Sequence, residues 1–299
     1  MSVVEKAIHK LQEQKQRAAE GSSAVGGQAS LTHETLPTHA TRAVAGAQES
    51  VIVLERSALR AAGLLPPEED IALLSRQYRS IKHPLVARAV GRDSPRAPKG
   101  HLVMITSAMA GEGKSFTALN LALSLAMEKD LRVLLVDADV AKPQLSHVLG
   151  LGESLGLLDA LRDGHLDVES LIRATDVPTL SFLPAGVRTE EATELLSSSR
   201  MAQFADLFGQ HNSQRIVILD SPPLLQTTES PALARMVGQI VVVVRADSTP
   251  QPVLLDALKT LEGHPEVSLV LNQSTRSVTS AYYYYGYDYG NERPTKDSA

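Results

Sequence analysis

The chain has 299 residues, of which 43% are apolar, and a formal net charge of -5. This length and apolar content suffice for one large α/β domain with appendages, and the mild negative charge argues against general nucleic-acid binding. Because the sequence contains no cysteine, disulfide frameworks and cysteine-based metal sites are excluded. No segment approaches the ~20 apolar residues of a membrane-spanning helix, and the N-terminus lacks the apolar core of a signal peptide. We therefore expect a cytoplasmic protein that reaches the inner face of a membrane only through a partner.

The first 50 residues are predicted to be a flexible N-terminal segment. Residues 1–20 are compatible either with a short amphipathic docking helix or with a frayed polar terminus. Residues 21–50 are rich in Gly, Ser, Ala, Thr and Gln, a composition that buries too little apolar surface to fold. Order is expected to resume at residues 51–54, which read Val-Ile-Val-Leu.

Residues 51–98 are predicted to form a regulatory or oligomerisation segment. A helix is expected from position 68 to about position 82, ending before Pro84, and residues 93–100 would be the hinge into the main domain. Six basic residues between positions 76 and 96 are accompanied by a single acid. They form either a contact surface for an acidic partner or a neighbouring subunit, or a solvated basic face. The six are Arg76, Arg79, Lys82, Arg88, Arg92 and Arg96.

Residues 102–115 predict a phosphate-binding loop. An apolar strand, a loop of small residues and a helix that begins near Gly113 follow one another there. Backbone N–H groups of such a loop converge on an anion, Lys114 would reach the β- and γ-phosphates, and Ser115 would bind Mg²⁺. Ala108 stands at the first motif position, where glycine is usual, and the alternative is a glycine-rich turn without a ligand. The predicted nucleotide-binding residues of this loop are Ala110, Gly111, Glu112, Gly113, Lys114, Ser115 and Phe116.

Residues 99–278 are predicted to form the nucleotide-binding domain, because apolar and helical segments alternate along them. Near-continuous apolar strands between helices imply a parallel sheet covered by helices on both faces. We therefore predict a P-loop NTPase-like α/β fold, whose ligand lies at the carboxyl ends of the strands. The later predicted strands are 132–136, 180–183, 216–219, 240–244 and 267–271, and the predicted helical stretches are 113–128, 145–171 with breaks, 190–209, 229–237 and 251–261.

Three carboxylates follow two of these strands. Asp137 and Asp139 come after the second predicted strand, and Asp220 comes after the fourth. Mg²⁺ takes a few carboxylates and keeps several waters, so Ser115, Asp137 and Asp220 are the predicted metal-binding residues. One acid of the first pair, with Asp137 preferred, would accept a proton from an attacking hydroxyl. Together with Lys114, the three acids are the predicted catalytic residues; the alternative is that they only cap the following turns.

Residues 279–299 are predicted to be a mobile C-terminal tail. Six of the seven tyrosines of the chain lie between positions 282 and 289, and no helical or strand period places them on one face. They are either acceptors for a phosphoryl group or an aromatic segment that packs on a partner. The six are Tyr282, Tyr283, Tyr284, Tyr285, Tyr287 and Tyr289.

The phosphate loop, the Asp-Ala-Asp sequence at 137–139, the Asp-Ser-Pro-Pro sequence at 220–223 and the tyrosine cluster together resemble the bacterial tyrosine autokinases, or BY-kinases. More narrowly, the chain looks like the cytoplasmic form that accompanies exopolysaccharide synthesis. The resemblance covers about residues 51–290. Further matching stretches are 81–85, 137–143, 183–186 and 194–196.

The resemblance implies ATP- and Mg²⁺-dependent phosphorylation of the tail tyrosines, in trans, between subunits of a ring-like homo-oligomer. It also implies an activating membrane protein that determines polysaccharide chain length, and a separate protein-tyrosine phosphatase. Family residues matching Lys114 and Ser115 bind phosphates and Mg²⁺, and those matching the three aspartates serve the metal and the tyrosine hydroxyl. Asn272 resembles the position that reads the adenine edge in related nucleotide-binding proteins.

Two positions depart from the family pattern. Arg76 stands where the subunit-contact helix of the family has glutamate, although Arg79 and Lys82 match. If that glutamate pairs with a basic group on the next subunit, Arg76 would repel it. Ala110 replaces the usual proline of the phosphate loop, which should loosen the loop without removing a ligand.

Two other functions remain open. A partitioning or division-site ATPase has the same fold but carries a lysine five positions before the loop lysine, where this chain has Met109. The tyrosine tail has no role in that class. A nucleotide-binding scaffold without catalysis would act only through its tail, although every expected carboxylate is present.

Overall fold

The computed structural model describes residues 51–91, 97–210 and 214–274, with the side chains of residues 209 and 210 excepted. The predictions for residues 1–50, for Arg92, for residues 93–96 of the hinge and for the tail at 279–299 therefore lie outside the described residues. Within the described ranges, strands and helices alternate as the sequence predicts.

Seven strands form one sheet in the described part of the chain. They are β1 (Leu102–Ser107), β2 (Arg132–Asp137), β3 (Arg173–Ala174), β4 (Leu180–Leu183), β5 (Arg215–Asp220), β6 (Gln239–Arg245) and β7 (Val267–Asn272). Their order across the sheet is β3-β4-β2-β5-β1-β6-β7. All neighbours are parallel except β3 and β4. The six predicted strands are confirmed, and the two-residue edge strand β3 was not predicted because so short a segment has no readable period.

Helices cover both faces of this sheet. They are α1 (Arg56–Ala61), α2 (Ile71–Val90), α3 (Lys114–Ala126), α4 (Gln144–Val148), α5 (Leu157–Arg162), α6 (Ala192–Leu196), α7 (Ser199–Gln210), α8 (Glu229–Ala234) and α9 (Gln251–Lys259). Leu102 and Met104 of β1 belong to a core shared with α5–α9, while Val103 and Ile105 belong to a core shared with α2 and α3. Because successive strand residues face opposite sides, a strand buried on both sides confirms the predicted helix-covered parallel sheet.

Helix α2 is longer than the sequence predicts, and the expected end before Pro84 is wrong. The helix continues to Val90 with Pro84 inside it. An interior proline costs roughly 3 kcal/mol or more, but Leu85 and Val86 are both buried against the sheet. Full burial of such side chains stabilises by about 1.5–3 kcal/mol each, which offsets the cost. Tertiary packing therefore overrides the local signal, and the helix ends at Gly91, where φ is +76°.

Residues 51–91 pack directly on the sheet. The Ile52 N–H donates to the Ala174 carbonyl at 2.9 Å. Lys82 of α2 donates to the Ser124 carbonyl at 2.8 Å and forms an ion pair with Glu128 at 2.8 Å. The predicted division at residue 98 therefore does not separate two cores, and a regulatory role for this segment stays a prediction.

The basic face predicted on α2 is partly neutralised within the chain. Besides the pairing of Lys82, Arg88 lies 2.9 Å from Glu266. Arg76 and Arg79 are exposed. The part of this face that is available to a partner is therefore the half nearer the start of α2.

Candidate active site

The carboxyl ends of β1, β2 and β5 bring the predicted site residues together. Strand β5 lies between the other two, and the register pairs Asp137 directly with Asp220. The Ala138 N–H donates to the Asp220 carbonyl at 2.8 Å, which keeps the two strand ends aligned. Since the phosphate loop follows β1, the loop and the acids occupy the same edge of the sheet, where parallel sheets bind ligands.

The loop between β1 and α3 has the backbone that its glycines predict. Gly111 and Gly113 have φ angles of +84° and +96°, which other residues rarely adopt. A Cβ on Gly113 would lie 2.0 Å from Asn272 Nδ2, so this position also needs glycine for space. Ala108 is buried without a positive φ, which explains why alanine is accepted at the first motif position. Helix α3 begins at Lys114, and its unpaired N–H groups favour an anion.

The paired acids Asp137 and Asp220 are fully buried. Oδ2 of Asp137 accepts two hydrogen bonds from Ser146, from its N–H and from its hydroxyl, each at 2.8 Å. No hydrogen bond of ordinary geometry reaches Oδ1 of Asp137 or either carboxylate oxygen of Asp220 from the described residues, although the Ser115 hydroxyl lies close enough to Asp220 to lower its pKa. Buried polar atoms are nearly always paired, so three such oxygens in one place indicate a site that is completed by a ligand.

The protonation of these acids reflects their burial. The pKa of Asp220 is raised to about 8, mainly by burial and then by the charge of Asp137, while the Ser115 hydroxyl and Lys114 lower it. The pKa of Asp137 is raised to about 7, again mainly by burial, while the hydrogen bonds from Ser146 lower it. Both carboxyls therefore hold protons more tightly than usual, and a bound cation would favour their ionised forms.

Asp139 lies in a different environment from Asp137. Its Oδ2 is 3.5 Å from Lys114 Nζ, and its Oδ1 accepts the Lys142 N–H at 3.3 Å. Burial raises the pKa of Asp139, and the charge of Lys114 lowers it. Thus the loop lysine and Asp139 neutralise each other in this structure.

Protein side chains supply only some of the ligands that a divalent ion would need at this site. In the ranges that the structure describes, no group of three or more His, Cys, Asp or Glu side chains is arranged to hold a metal ion. Mg²⁺ typically uses one or two carboxylates with waters and substrate phosphates. The unpartnered oxygens of Asp137 and Asp220, beside Ser115, supply that smaller set.

A cleft of about 800 Å³ opens beside the loop. Its volume is in the range of small-molecule sites. Four titratable side chains in its wall were not predicted as site residues, namely Lys142, His147, Glu153 and Arg188. Of the predicted residues, it is lined by Ala110, Gly111, Lys114, Ser115 and Asp139.

The other predicted residues lie around the cleft. Phe116 packs against the core on the α3 face, and Asn272 donates through Nδ2 to the Glu112 carbonyl at 2.9 Å. Ser146, which holds Asp137, was not predicted, because it is nine residues further along the chain and no motif marks it. The only feature of the sequence that could have indicated Ser146 is that its segment, which forms α4, directly follows the Asp-Ala-Asp sequence at the end of β2.

The fold and the site define a nucleotide-binding domain of the AAA type. A family model described as an AAA domain matches residues 100–263. Tyrosine-protein kinase YwqD of Bacillus subtilis is 32% identical over 220 residues, which are 73% of this chain and 89% of YwqD. The chain therefore belongs to the bacterial tyrosine-protein kinase family, which confirms the resemblance drawn from the motifs.

Longer relatives and solved structures agree with this assignment. EpsB of Ralstonia nicotianae, which also carries a tyrosine-protein kinase name, is 34% identical over 194 residues, or 64% of this chain and 25% of EpsB. The chain thus spans about a quarter of that relative. The crystal structure of the VpsO kinase domain has a TM-score of 0.57 at 28% identity and covers 70% of this chain and 100% of its own. The BceF tyrosine kinase domain has a TM-score of 0.57 at 27% identity, with 71% and 85% covered.

No helix within the described ranges is both long enough and apolar enough to cross a bilayer.

Proposed function

We propose that this chain is an ATP-dependent tyrosine autokinase whose acceptors are the six tyrosines at 282–289. The observation that carries the proposal is the buried pair Asp137 and Asp220, with three unpartnered oxygens beside the phosphate loop. Phosphoryl transfer needs mainly positioning and charge neutralisation, and this pair would hold Mg²⁺ together with Ser115. When bound, that ion would neutralise charge on the transferred phosphate.

The chain's own residues divide the remaining work. Lys114, which now pairs with Asp139 at 3.5 Å, would exchange that partner for the β- and γ-phosphates. Asp139 would then be free to accept the proton of a tyrosine hydroxyl as its oxygen attacks the γ-phosphorus and ADP leaves. The sequence favoured Asp137 for this role, but Asp139 lines the cleft whereas one oxygen of Asp137 is held by Ser146. The cleft geometry therefore supports Asp139.

The one tyrosine in the described ranges is unsuited to be an acceptor. Tyr78 of α2 is buried in the core on the α3 face. Its pKa is raised to about 12 by burial, although the Thr117 hydroxyl lowers it. A hydroxyl that is both enclosed and hard to ionise cannot enter the cleft, which supports the tail tyrosines as the proposed acceptors.

The wider system is proposed from the family resemblance. We propose that the kinase serves exopolysaccharide synthesis in the cytoplasm, is activated by a membrane protein that determines chain length, and is reversed by a protein-tyrosine phosphatase. Homo-oligomer contacts on residues 51–98 would use the exposed Arg79, because Lys82 is already paired with Glu128 and Arg76 stands where the family has glutamate. A nucleic-acid partner is not proposed.

Mass spectrometry of the full chain after incubation with ATP and Mg²⁺ tests this function, beside Lys114→Ala. We expect phosphate on residues 282–289 in the wild type and none in the variant. Phosphate release without tyrosine modification, also in the presence of the cytoplasmic segment of a candidate membrane activator, would contradict the kinase and favour an ATPase switch. Equal tyrosine modification in Lys114→Ala would contradict the proposed site.

A further inference from the structure

The phosphate loop contains a buried glutamate whose side chain turns away from the cleft. Glu112 is 4% exposed and does not line the cleft. Its Oε2 accepts the Met109 N–H at 2.7 Å, and its Oε1 accepts a short hydrogen bond from the Thr249 hydroxyl. A carboxylate beside bound phosphates would repel them. These two hydrogen bonds hold the negative charge of Glu112 away from the place where the phosphates would bind.

The second partner lies far away in sequence. Thr249 is 137 positions from Glu112, in the loop between β6 and α9. Its hydroxyl oxygen accepts the Arg245 N–H at 3.1 Å. A hydroxyl has one hydrogen to donate, and here that hydrogen is directed to Glu112. Because the Thr249 hydroxyl donates in this direction, the residue at position 112 must supply an acceptor.

Asn272, at the end of β7, joins the same segments a second time. Its Nδ2 donates to the Glu112 carbonyl at 2.9 Å, and its own carbonyl accepts the Ala246 N–H at 2.8 Å. The missing Cβ of Gly113 leaves the space that this amide occupies. The loop is therefore held from the β6–β7 side, while the catalytic acids lie on the β2–β5 side.

We propose that Glu112 is a positioning residue, and that its contacts with Thr249 and Asn272 hold the phosphate loop in the shape that binds phosphate. This set of contacts is called the β6–β7 clamp below. Anion binding depends on several backbone N–H groups pointing at one place, so contacts that fix the loop backbone raise nucleotide affinity, and the bond between the Glu112 carboxylate and the Thr249 hydroxyl does so without itself binding the phosphates. Displacement of the β6–α9 loop would lower that affinity. The inference rests on the proposed nucleotide site and deepens it.

Thr249→Val tests the clamp because it removes one hydroxyl and keeps the side-chain shape. Binding of ADP with Mg²⁺ to the full chain would be measured by titration calorimetry, which needs no kinase activity. We expect Thr249→Val to bind about ten-fold more weakly, or ~1.4 kcal/mol, and Thr249→Ser to bind within about two-fold of the wild type. In a kinase assay, the KM for ATP should rise while kcat stays unchanged, since positioning alters binding rather than chemistry.

Two further variants complete the test. Thr260→Val removes a hydroxyl that donates to the Ala257 carbonyl at 2.7 Å, away from the loop, and should bind ADP normally. Glu112→Gln keeps an acceptor for the Met109 N–H and should bind more tightly than Glu112→Ala. Their unfolding temperatures without nucleotide show whether any loss is global.

The outcomes separate the two proposals. Wild-type affinity in Thr249→Val, or an equal loss in Thr249→Ser and Thr260→Val, would overturn the clamp and leave the nucleotide site intact. Absence of ADP binding in the wild type would overturn the site and the clamp together.

Discussion

Two buried carboxylates of the same residue type behave in opposite ways in this molecule. Asp159, at the start of α5, is 2% exposed and fully paired: its Oδ2 accepts the N–H groups of Gly156 at 3.0 Å and Val187 at 2.9 Å, and its Oδ1 pairs with Arg162 at 3.0 Å. Asp220 is more deeply buried, and neither of its oxygens has a donor within the described ranges. Burial alone therefore does not distinguish a structural acid from a functional one.

Asp159 contributes to the stability of the fold, whereas Asp220 lowers that stability at a position that serves function. A buried carboxylate with three donors stabilises the segment that it joins, here α5 and the loop at 184–188 that carries Arg188 to the cleft. A buried carboxylate without donors destabilises the free protein and is retained because a ligand completes it.

The largest effect is expected from Asp220→Asn. If Asp220 binds the metal ion, tyrosine phosphorylation should fall by about 100-fold or more, comparable to losing one electrostatic contact to the transition state. The free energy of unfolding should stay level or rise, because a neutral amide replaces a buried acid that must either stay protonated or carry a poorly paired charge. Phosphotyrosine blots and urea unfolding would measure the two quantities, and a loss of stability that parallels the loss of activity would contradict the functional assignment.

Asp159→Ala should give the opposite pattern. The two N–H groups that it leaves without an acceptor should lower the free energy of unfolding by about 2–6 kcal/mol, since each unsatisfied buried group costs about 1–3 kcal/mol. The phosphorylation rate per folded molecule should change less than in Asp220→Asn. Urea unfolding at neutral pH measures this, with Asp256→Ala as the control because the pairing of Asp256 with Lys259 is exposed. Equal stability of the two variants would refute the structural role of Asp159.

The last prediction concerns the dependence of stability on pH. Burial raises the folded-state pKa values of Asp137 and Asp220 to about 7 and about 8, from the ordinary aspartate value of 3.8. The folded state then binds more protons than the unfolded chain over this interval, so its stability falls as pH rises from about 4 to about 8. In Asp220→Asn this fall should be shallower. Thermal unfolding at several pH values without nucleotide would measure the slopes, and identical slopes would contradict the raised pKa of Asp220.

The sequence by itself determined the local features. The apolar strands, the phosphate loop and the acids that follow β2 and β5 were readable because strand period, glycine conformation and motif spacing are properties of neighbouring residues. The parallel direction of the strands could be predicted because helices separate buried strands, and the family could be predicted from the motifs taken together.

Only the tertiary structure decided which of these residues work together. It continued α2 through Pro84 because burial of Leu85 and Val86 offsets the lost hydrogen bond. It separated Asp137, held by Ser146, from Asp139, paired with Lys114. The bond between Glu112 and Thr249 joins residues 137 positions apart. Such contacts depend on how strands are ordered in the sheet, and no local period or spacing in a single sequence encodes that distance.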